Sequence, residues 1–245
     1  DEQRMFKYIA RRILFLLPVL VGVSFIVFSL LYITPGDPAR MVLGDQATEE
    51  AVQEFRNKEG LNDPFLVQYG RYVYKALQGD IGRSYMTRRP VSDEILSAFP
   101  STIKLAALSM VIAILLGIPF GIISAIRQYS LFDSVTMVFA MVGLSMPVFW
   151  LGLLLAYLLT YKFQLLPRSG QLDVGMRKPP HVTGFISIDA LLAGDMDAFW
   201  SLGRHIILPA VVLGAFAMGI ISRMLRSSLV AALNDDYVRT ARAKG

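Results

Sequence analysis

Enzymatic chemistry needs titratable or nucleophilic side chains brought into register, and this sequence offers few of them. Its 245 residues include no cysteine and only two histidines, His181 and His205. Disulfides, thiol catalysis and Cys-ligated metals are therefore excluded, although the compartment is not identified by that. Both histidines lie outside the apolar runs and read as surface or interface side chains rather than ligands. The sequence contains no G-x-x-x-x-G-K-[ST] run, so the chain lacks a phosphate-cradling loop of its own. No catalytic, metal-binding or cofactor-binding residue is assigned. What remains is mechanical. Gly117-x-Pro119-x-Gly121 sets two glycines on one helical face, a spacing that permits close helix approach. Pro119 and Pro147 stand inside apolar runs, where a proline frees a backbone carbonyl and bends the helix.

The elements that carry these residues are apolar. Hydrophobic residues make up 54% of the chain and charged residues 18%, against about 45–50% and about 25% in ordinary soluble domains. Four stretches contain no Asp, Glu, Lys, Arg or His: Ile13–Ile33, Leu105–Ile126, Ser134–Tyr161 and Ile206–Ser222. About 20 apolar residues rising about 1.5 Å each cross a hydrocarbon core of about 30 Å. The pattern predicts an all-α polytopic membrane protein with spans at 13–34, 105–126, 134–162 and 205–224. Each span holds one proline: Pro18, Pro119, Pro147 and Pro209. Pro18 and Pro209 lie near span starts, so kinks are expected at Pro119 and Pro147. The first stretch follows Arg4, Lys7, Arg11 and Arg12 as a signal peptide would. It is longer than the usual h-region of about 7–15 residues, however, and no A-x-A site follows, which predicts an uncleaved anchor.

Charge orients the spans. The net charge of +5 clusters beside the apolar runs, which favours orientation in a membrane over a nucleic-acid footprint. Basic residues fill the flank 1–12, Arg127 lies in the short connection between the second and third spans, and Arg223, Arg226, Arg239, Arg242 and Lys244 follow the fourth. All fall on one side if the spans alternate, and the positive-inside rule makes that side the cytoplasm. Segments 35–104 and 163–204 balance their charges and are placed outside. Within 35–104, Thr48 with Glu49 and Glu50 predicts a capped helix ended by Gly60, and Asp63-Pro64 opens a second helix closed by Gly79. The aromatics of that second helix are expected to pack on the membrane domain. Met5 reads as a native start, with Asp1–Arg4 an upstream remnant, and the segment reaching Gly245 carries no helix stop, so the chain reads as a piece of a longer protein.

The spans hold no ionisable residue in their cores, whereas proton- and ion-coupled carriers need intramembrane Asp, Glu or His. A Ser/His pair or two aspartates suited to intramembrane proteolysis is also missing. Energy for uphill transport would have to come from a partner.

Asp236-Tyr237-Val238-Arg239-Thr240-Ala241-Arg242-Ala243-Lys244-Gly245 resembles the start of the cytoplasmic loop motif of ABC importer permeases. Arg239-Thr240-Ala241 take the E-A-A places and Gly245 the glycine; only Ala241 and Gly245 match the general pattern, while the whole run is typical of the peptide-transporter branch. Thr34-Pro35-Gly36-Asp37-Pro38, Gly60-Leu61-Asn62-Asp63-Pro64, Gly79-Asp80-Ile81-Gly82, Pro100-Ser101-Thr102-Ile103-Lys104-Leu105 and Met146-Pro147-Val148-Phe149-Trp150 resemble the same group in the same order. The chain is thus similar to the inner-membrane permeases of the dipeptide, oligopeptide, nickel and glutathione importers.

The resemblance implies a type I permease fold, truncated after the fourth span, with a small helical periplasmic segment at 35–104, a periplasmic loop at 163–204 and an incomplete cytoplasmic coupling loop at 225–245. It also implies a place in the bacterial inner membrane and a set of partners: a second homologous permease, two cytoplasmic ABC ATPases, a periplasmic solute-binding protein and membrane lipids, with no nucleic acid. Tyr237, Arg239, Ala241 and Gly245 would then contact an ATPase, while Gly117, Pro119, Gly121 and Pro147 are the candidates for gating. Peptide is the expected cargo, with nickel or glutathione as alternatives. A membrane scaffold or receptor, in which the outer segment binds a partner, is the alternative of another class.

Overall fold

An uninterrupted apolar run leaves the backbone to bond to itself, and in lipid a helix does so within one segment. The computed structural model describes residues 2–44 and 46–245, with the side chains of all of these except Glu2, Gln3 and Arg242. The reading of Asp1 as part of an upstream remnant, the part of segment 35–104 at Asp45, and the Arg242 side chain in the basic tail lie outside the described residues. Among the described residues there is no strand, only an isolated antiparallel bridge between Arg83 and Pro90. The chain divides into two compact units, Asp1–Leu96 and Ser97–Gly245.

The first unit holds α1 (Glu2–Ile33), α2 (Pro38–Leu43), α3 (Glu49–Glu59) and α4 (Phe65–Leu77). Thr48 Oγ1 accepts the Ala51 N–H and caps α3. Gly60 ends α3 in the left-handed region, at φ 67°. A Cβ there would also collide with the Arg71 guanidinium, which donates to Asp63 Oδ2 at 2.5 Å. Only glycine meets both demands. At the start of α2, Asp37 accepts from Arg56 Nη2 at 2.9 Å and from the Ala39 N–H at 3.1 Å. Burial opposes the Asp37 charge, but these hydrogen bonds outweigh it and hold the carboxyl below its usual value.

α4 lies along α1 through its aromatic face. Phe65 packs edge-on against Phe25 and Tyr32, with ring centroids 5.5 and 5.1 Å apart. Tyr69 stands 5.2 Å from Phe25, and its hydroxyl donates to the Val21 carbonyl at 3.1 Å. Ser24 Oγ lies 2.9 Å from the same hydroxyl.

α5 (Val91–Ile126) begins in the last residues of the first unit and runs through the second, which continues with α6 (Leu131–Ser145), α7 (Val148–Leu155), α8 (Ile186–Leu192), α9 (Met196–Asn234) and α10 (Asp236–Ala243). α7 runs on into a π-helical turn at Ala156–Lys162. Among the described residues three helices are long and apolar enough to cross a membrane, α1 over Arg4–Ile33, α5 and α9; the pair α6 and α7 makes a fourth crossing if its two parts are taken together.

α1 starts at Glu2 rather than at 13, and the structure departs from the expected boundaries in three further places. The stretch read as one span at 134–162 is two helices bent by 109° at Met146-Pro147. Pro147 has no N–H to donate and disfavours a helical conformation in the residue before it. Met146 is extended (φ −79°, ψ 133°), as is Pro147 (φ −58°, ψ 131°), and two extended residues in succession end a helix. Pro119, by contrast, sits inside an unbroken α5. Second, α5 and α9 are 36 and 39 residues long and outrun their apolar stretches, starting at Val91 and Met196 rather than at 105 and 205. Third, segment 163–204 contains α8 and the first turns of α9, closed on a small core of Ala190, Ala198 and Leu202. Asp189, 2% exposed, accepts both the N–H and the hydroxyl of Thr183 at 2.7 Å. The Thr183 hydroxyl holds its carboxyl below the usual carboxylate value against the cost of burial.

Candidate functional site

The second unit is organised around α9, and small residues let its neighbours approach. Ala210, Gly214, Gly219 and Ser222 are all buried on α9. On α5 the buried residues are Ser109, Ala113, Gly117, Gly121, Ser124 and Ala125. The Gly117 carbonyl accepts from Ser222 Oγ at 2.9 Å. A Cβ on Gly121 would stand 2.9 Å from the Ser222 carbonyl oxygen and 3.1 Å from Leu225 Cβ, and one on Gly117 would stand 3.1 Å from Ile221. Farther up, a Cβ on Gly214 would meet the Ser109 carbonyl oxygen at 2.8 Å. Ser109 with Gly214 and Gly117 with Ser222 keep the same sequence offset, so α5 and α9 run parallel, in backbone contact over several turns.

α6 packs on α9 in the opposite sense. A Cβ on Gly219 would stand 3.1 Å from the Ala140 carbonyl oxygen, and one on Gly143 would meet that of Ala215 at 3.8 Å. The series closes at Asp133, in the first turn of α6. Its carboxylate takes Arg226 in a two-pronged pair, Nε to Oδ1 at 2.5 Å and Nη2 to Oδ2 at 2.7 Å. The Tyr129 N–H adds a third bond to Oδ2 at 3.0 Å, and Ser130 Oγ caps the Asp133 N–H at 3.2 Å. Asp133 is 3% exposed. The enclosed Ser124 hydroxyl of α5 lies near the carboxylate but outside the geometry of a formed hydrogen bond. A planar guanidinium on a carboxylate fixes orientation as well as charge, so α6 and α9 are locked in register at this end.

Parallel packing of α5 and α9 puts Arg127, just after α5, and α10, just after α9, at one end of the unit. Asp235, extended at φ −65° and ψ 148°, separates α9 from α10 and accepts the Val238 and Arg239 N–H groups at 3.0 and 3.3 Å. α10 then stands clear: Tyr237 is 66% exposed and Ala241 is exposed. Arg239 is equally open and, among the described residues, pairs within its own helix, 3.8 Å from Asp236. Val238 alone among its described side chains is half-buried. Gly245 has φ 82° with open space around it, a conformation that favours glycine.

The eight residues singled out from sequence therefore fall into separate places. Gly117 and Gly121 lie in the α5–α9 contact. Pro119 shares that stretch of α5 but is exposed. Pro147 makes the break between α6 and α7. Tyr237, Arg239, Ala241 and Gly245 belong to the exposed C-terminal element. Sequence reasoning missed Asp133 and Arg226, which lie 93 residues apart with no local pattern joining them. It also passed over the small residues of α9, although Ala210-x-x-x-Gly214 and Ala215-x-x-x-Gly219 carry the same spacing as Gly117 and Gly121.

Residues 117–245 match the family model described as "Binding-protein-dependent transport system inner membrane component". Residues 5–106 match the N-terminal model of the same kind of membrane component. The chain is similar to the dipeptide transport system permease protein DppB of Alkalihalophilus pseudofirmus, 40% identical over 98% of this chain and 72% of the relative. The probable D,D-dipeptide transport system permease protein DdpB of Escherichia coli is 42% identical over 93% of this chain and 67% of the relative. The glutathione transport system permease protein GsiC of Salmonella paratyphi A is 36% identical over 98% and 69%.

Proposed function

The chain belongs to the family of binding-protein-dependent transport system inner membrane components, a multi-pass permease subunit of an ABC importer, and from that premise we propose that it carries di- or oligopeptides across the bacterial inner membrane. The similarity to dipeptide permeases at 40% and 42% identity supports that cargo. The glutathione permease among its relatives keeps the cargo within short peptides and their derivatives. The N-terminus lies in the cytoplasm, a second homologous permease completes the pathway, a periplasmic binding protein delivers the solute, and two ATPase subunits supply the energy.

One observation carries the mechanical part: α10 is a short helix, free on nearly all sides, hung from the end of the helix on which α5 and α6 pack. Tyr237, Arg239 and Ala241 lie on its accessible surface and seat in the ATPase, with Gly245 at the turn that follows the helix. When the ATPases close, α10 is displaced and α9 moves with it. The glycine contacts to α5 and the Asp133–Arg226 pair to α6 leave little slack, so those helices follow as a body. Pro119 and Pro147 mark where the path can flex.

The test is reconstitution of the complete permease with its ATPases and binding protein in liposomes. Dipeptide uptake should require both ATP and the binding protein; uptake that continues without either contradicts the reading. Ala241→Arg, which adds bulk to an exposed position, should cut uptake about tenfold while the spans keep their thermal stability, as expected for a change at an interface centre.

A further inference from the structure

At the end of the second unit opposite α10, the parallel helices α5 and α9, with Gly170 and Gln171, line an open cavity of about 140 Å³. Ser101 and Lys104 of α5, Gln171 of the segment before α8 and His205 of α9 supply its polar groups, with Leu202 and Pro209 among the apolar ones. Most of these groups are already engaged. Gln171 Nε2 donates to Ser101 Oγ at 3.2 Å, which leaves the Ser101 hydroxyl proton free to donate into the cavity. His205 Nδ1 lies 2.8 Å from the Ser201 carbonyl and must donate to it, since a carbonyl only accepts. Its Nε2 faces Asp173 Oδ1 at 4.0 Å.

Lys104 differs. Among the described residues no carboxylate lies within 4.0 Å of its ammonium group, although the side chain is partly buried where the apolar run of α5 begins. An ammonium drawn out of water beside apolar walls attracts an anion more strongly than one in solvent. The remaining chemistry selects which anion. There is one unpartnered cation and one hydroxyl donor, and the nearby Asp173 opposes a second negative charge. That set suits a monoanion with two oxygens and disfavours a phosphate dianion, which calls for clustered cations or arginine forks.

We propose that this cavity is a carboxylate subsite in which Lys104 and Ser101 receive the terminal carboxylate of a small peptide. The proposal rests on the peptide reading of the cargo and adds to it a point of recognition inside the permease. Selectivity is then shared between the binding protein and the permease, with the C-terminus of the cargo held at the ends of the two packed helices.

Two measurements separate the subsite from the cargo reading. The first is labelling of Lys104 by acetic anhydride in the complete permease, read by mass spectrometry. N-acetylalanine should protect Lys104, and N-acetylalaninamide, of the same shape without the charge, should not. Equal protection by both, or by neither, overturns the proposal. The second compares uptake of a dipeptide and of its C-terminal amide by reconstituted transporters that share one binding protein. Lys104→Gln should lower uptake of the free acid about tenfold and of the amide less than about twofold, the scale of a charge-assisted hydrogen bond. Lys104→Arg should restore most of the difference. A uniform loss for both substrates makes Lys104 structural and sinks the subsite. Protection by N-acetylalanine in a transporter that imports neither peptide would count against the cargo reading and leave the anion site standing.

Discussion

α1 and α9 are both apolar enough to cross a bilayer, with mean hydropathy of 2.8 and 2.1 over an 18-residue window of each. None of the α1 window is buried inside the chain, while 28% of the α9 window is. Hydropathy therefore does not decide which helix becomes the centre. Size does. α1 presents Leu, Phe, Val and Ile on every side, with Leu14, Leu20 and Leu31 all more than 60% exposed. α9 interrupts its large residues with Ala210, Gly214, Gly219 and Ser222, and backbones come within contact distance at the last three. Between helices in lipid there is no hydrophobic drive, so van der Waals contact and polar bonds must hold them. α9 supplies both, and α1 offers a surface for lipid or for another chain.

The contrast breaks most readily at the ion pair. Removing one partner of a buried pair strands the other charge and costs about 3–5 kcal/mol. Asp133→Ala and Arg226→Ala should each lower the thermal midpoint of the detergent-solubilised permease sharply, and the double variant should be less damaged than the two losses added together. Additive losses would show that the pair does not act as a unit.

Next in size is the glycine contact. A Cβ at Gly121 would stand 2.9 Å from the Ser222 carbonyl oxygen, an atom that cannot rotate away. Gly121→Val should destabilise by about 1–3 kcal/mol, the usual cost of overpacking. Gly22 of α1, with nothing within 4 Å of its Cβ position, should accept the same change with little effect. Equal damage at both sites would mean that helix propensity, rather than the α5–α9 contact, sets the cost.

These sites also mark how far the sequence could be read. The apolar runs, the Thr48 cap and the Gly60 stop are legible because each depends on neighbours within one turn. Gly117 and Gly121 announce a close-packed face by spacing alone. They do not say that the partner is α9, since that follows from tertiary packing. Pro147 signalled a bend, but its size depends on Met146 and Pro147 both being extended, which composition does not reveal. The start of α5 at Val91 was hidden because Ser92, Asp93 and Glu94 look like loop, although acidic residues suit a first helical turn. Asp133 and Arg226 each sit beside an apolar run as ordinary flanking charges, and only the antiparallel packing of α6 on α9 makes them a pair. Lys104 stands just before an apolar run, and only the fold brings Gln171 and His205 beside it.

The smallest test separates a bond between helices from a bond within one. Ser222 Oγ donates to the Gly117 carbonyl of a different helix, and Ser29 Oγ donates at 2.7 Å to the Phe25 carbonyl four residues back on its own. Interhelical hydrogen bonds of this sort average about 0.6 kcal/mol in membrane proteins, because the separated helices find other partners. A hydroxyl bonding back along its own helix gives α1 no added grip on a neighbour, and it slightly disfavours the straight helix. Ser222→Ala should therefore lower the thermal midpoint by a small, reproducible amount, and Ser29→Ala should leave it unchanged or raise it. Matching losses at the two positions would mean that α1 is held as tightly as α9, and the distinction between the two helices would fail at the level of single side chains.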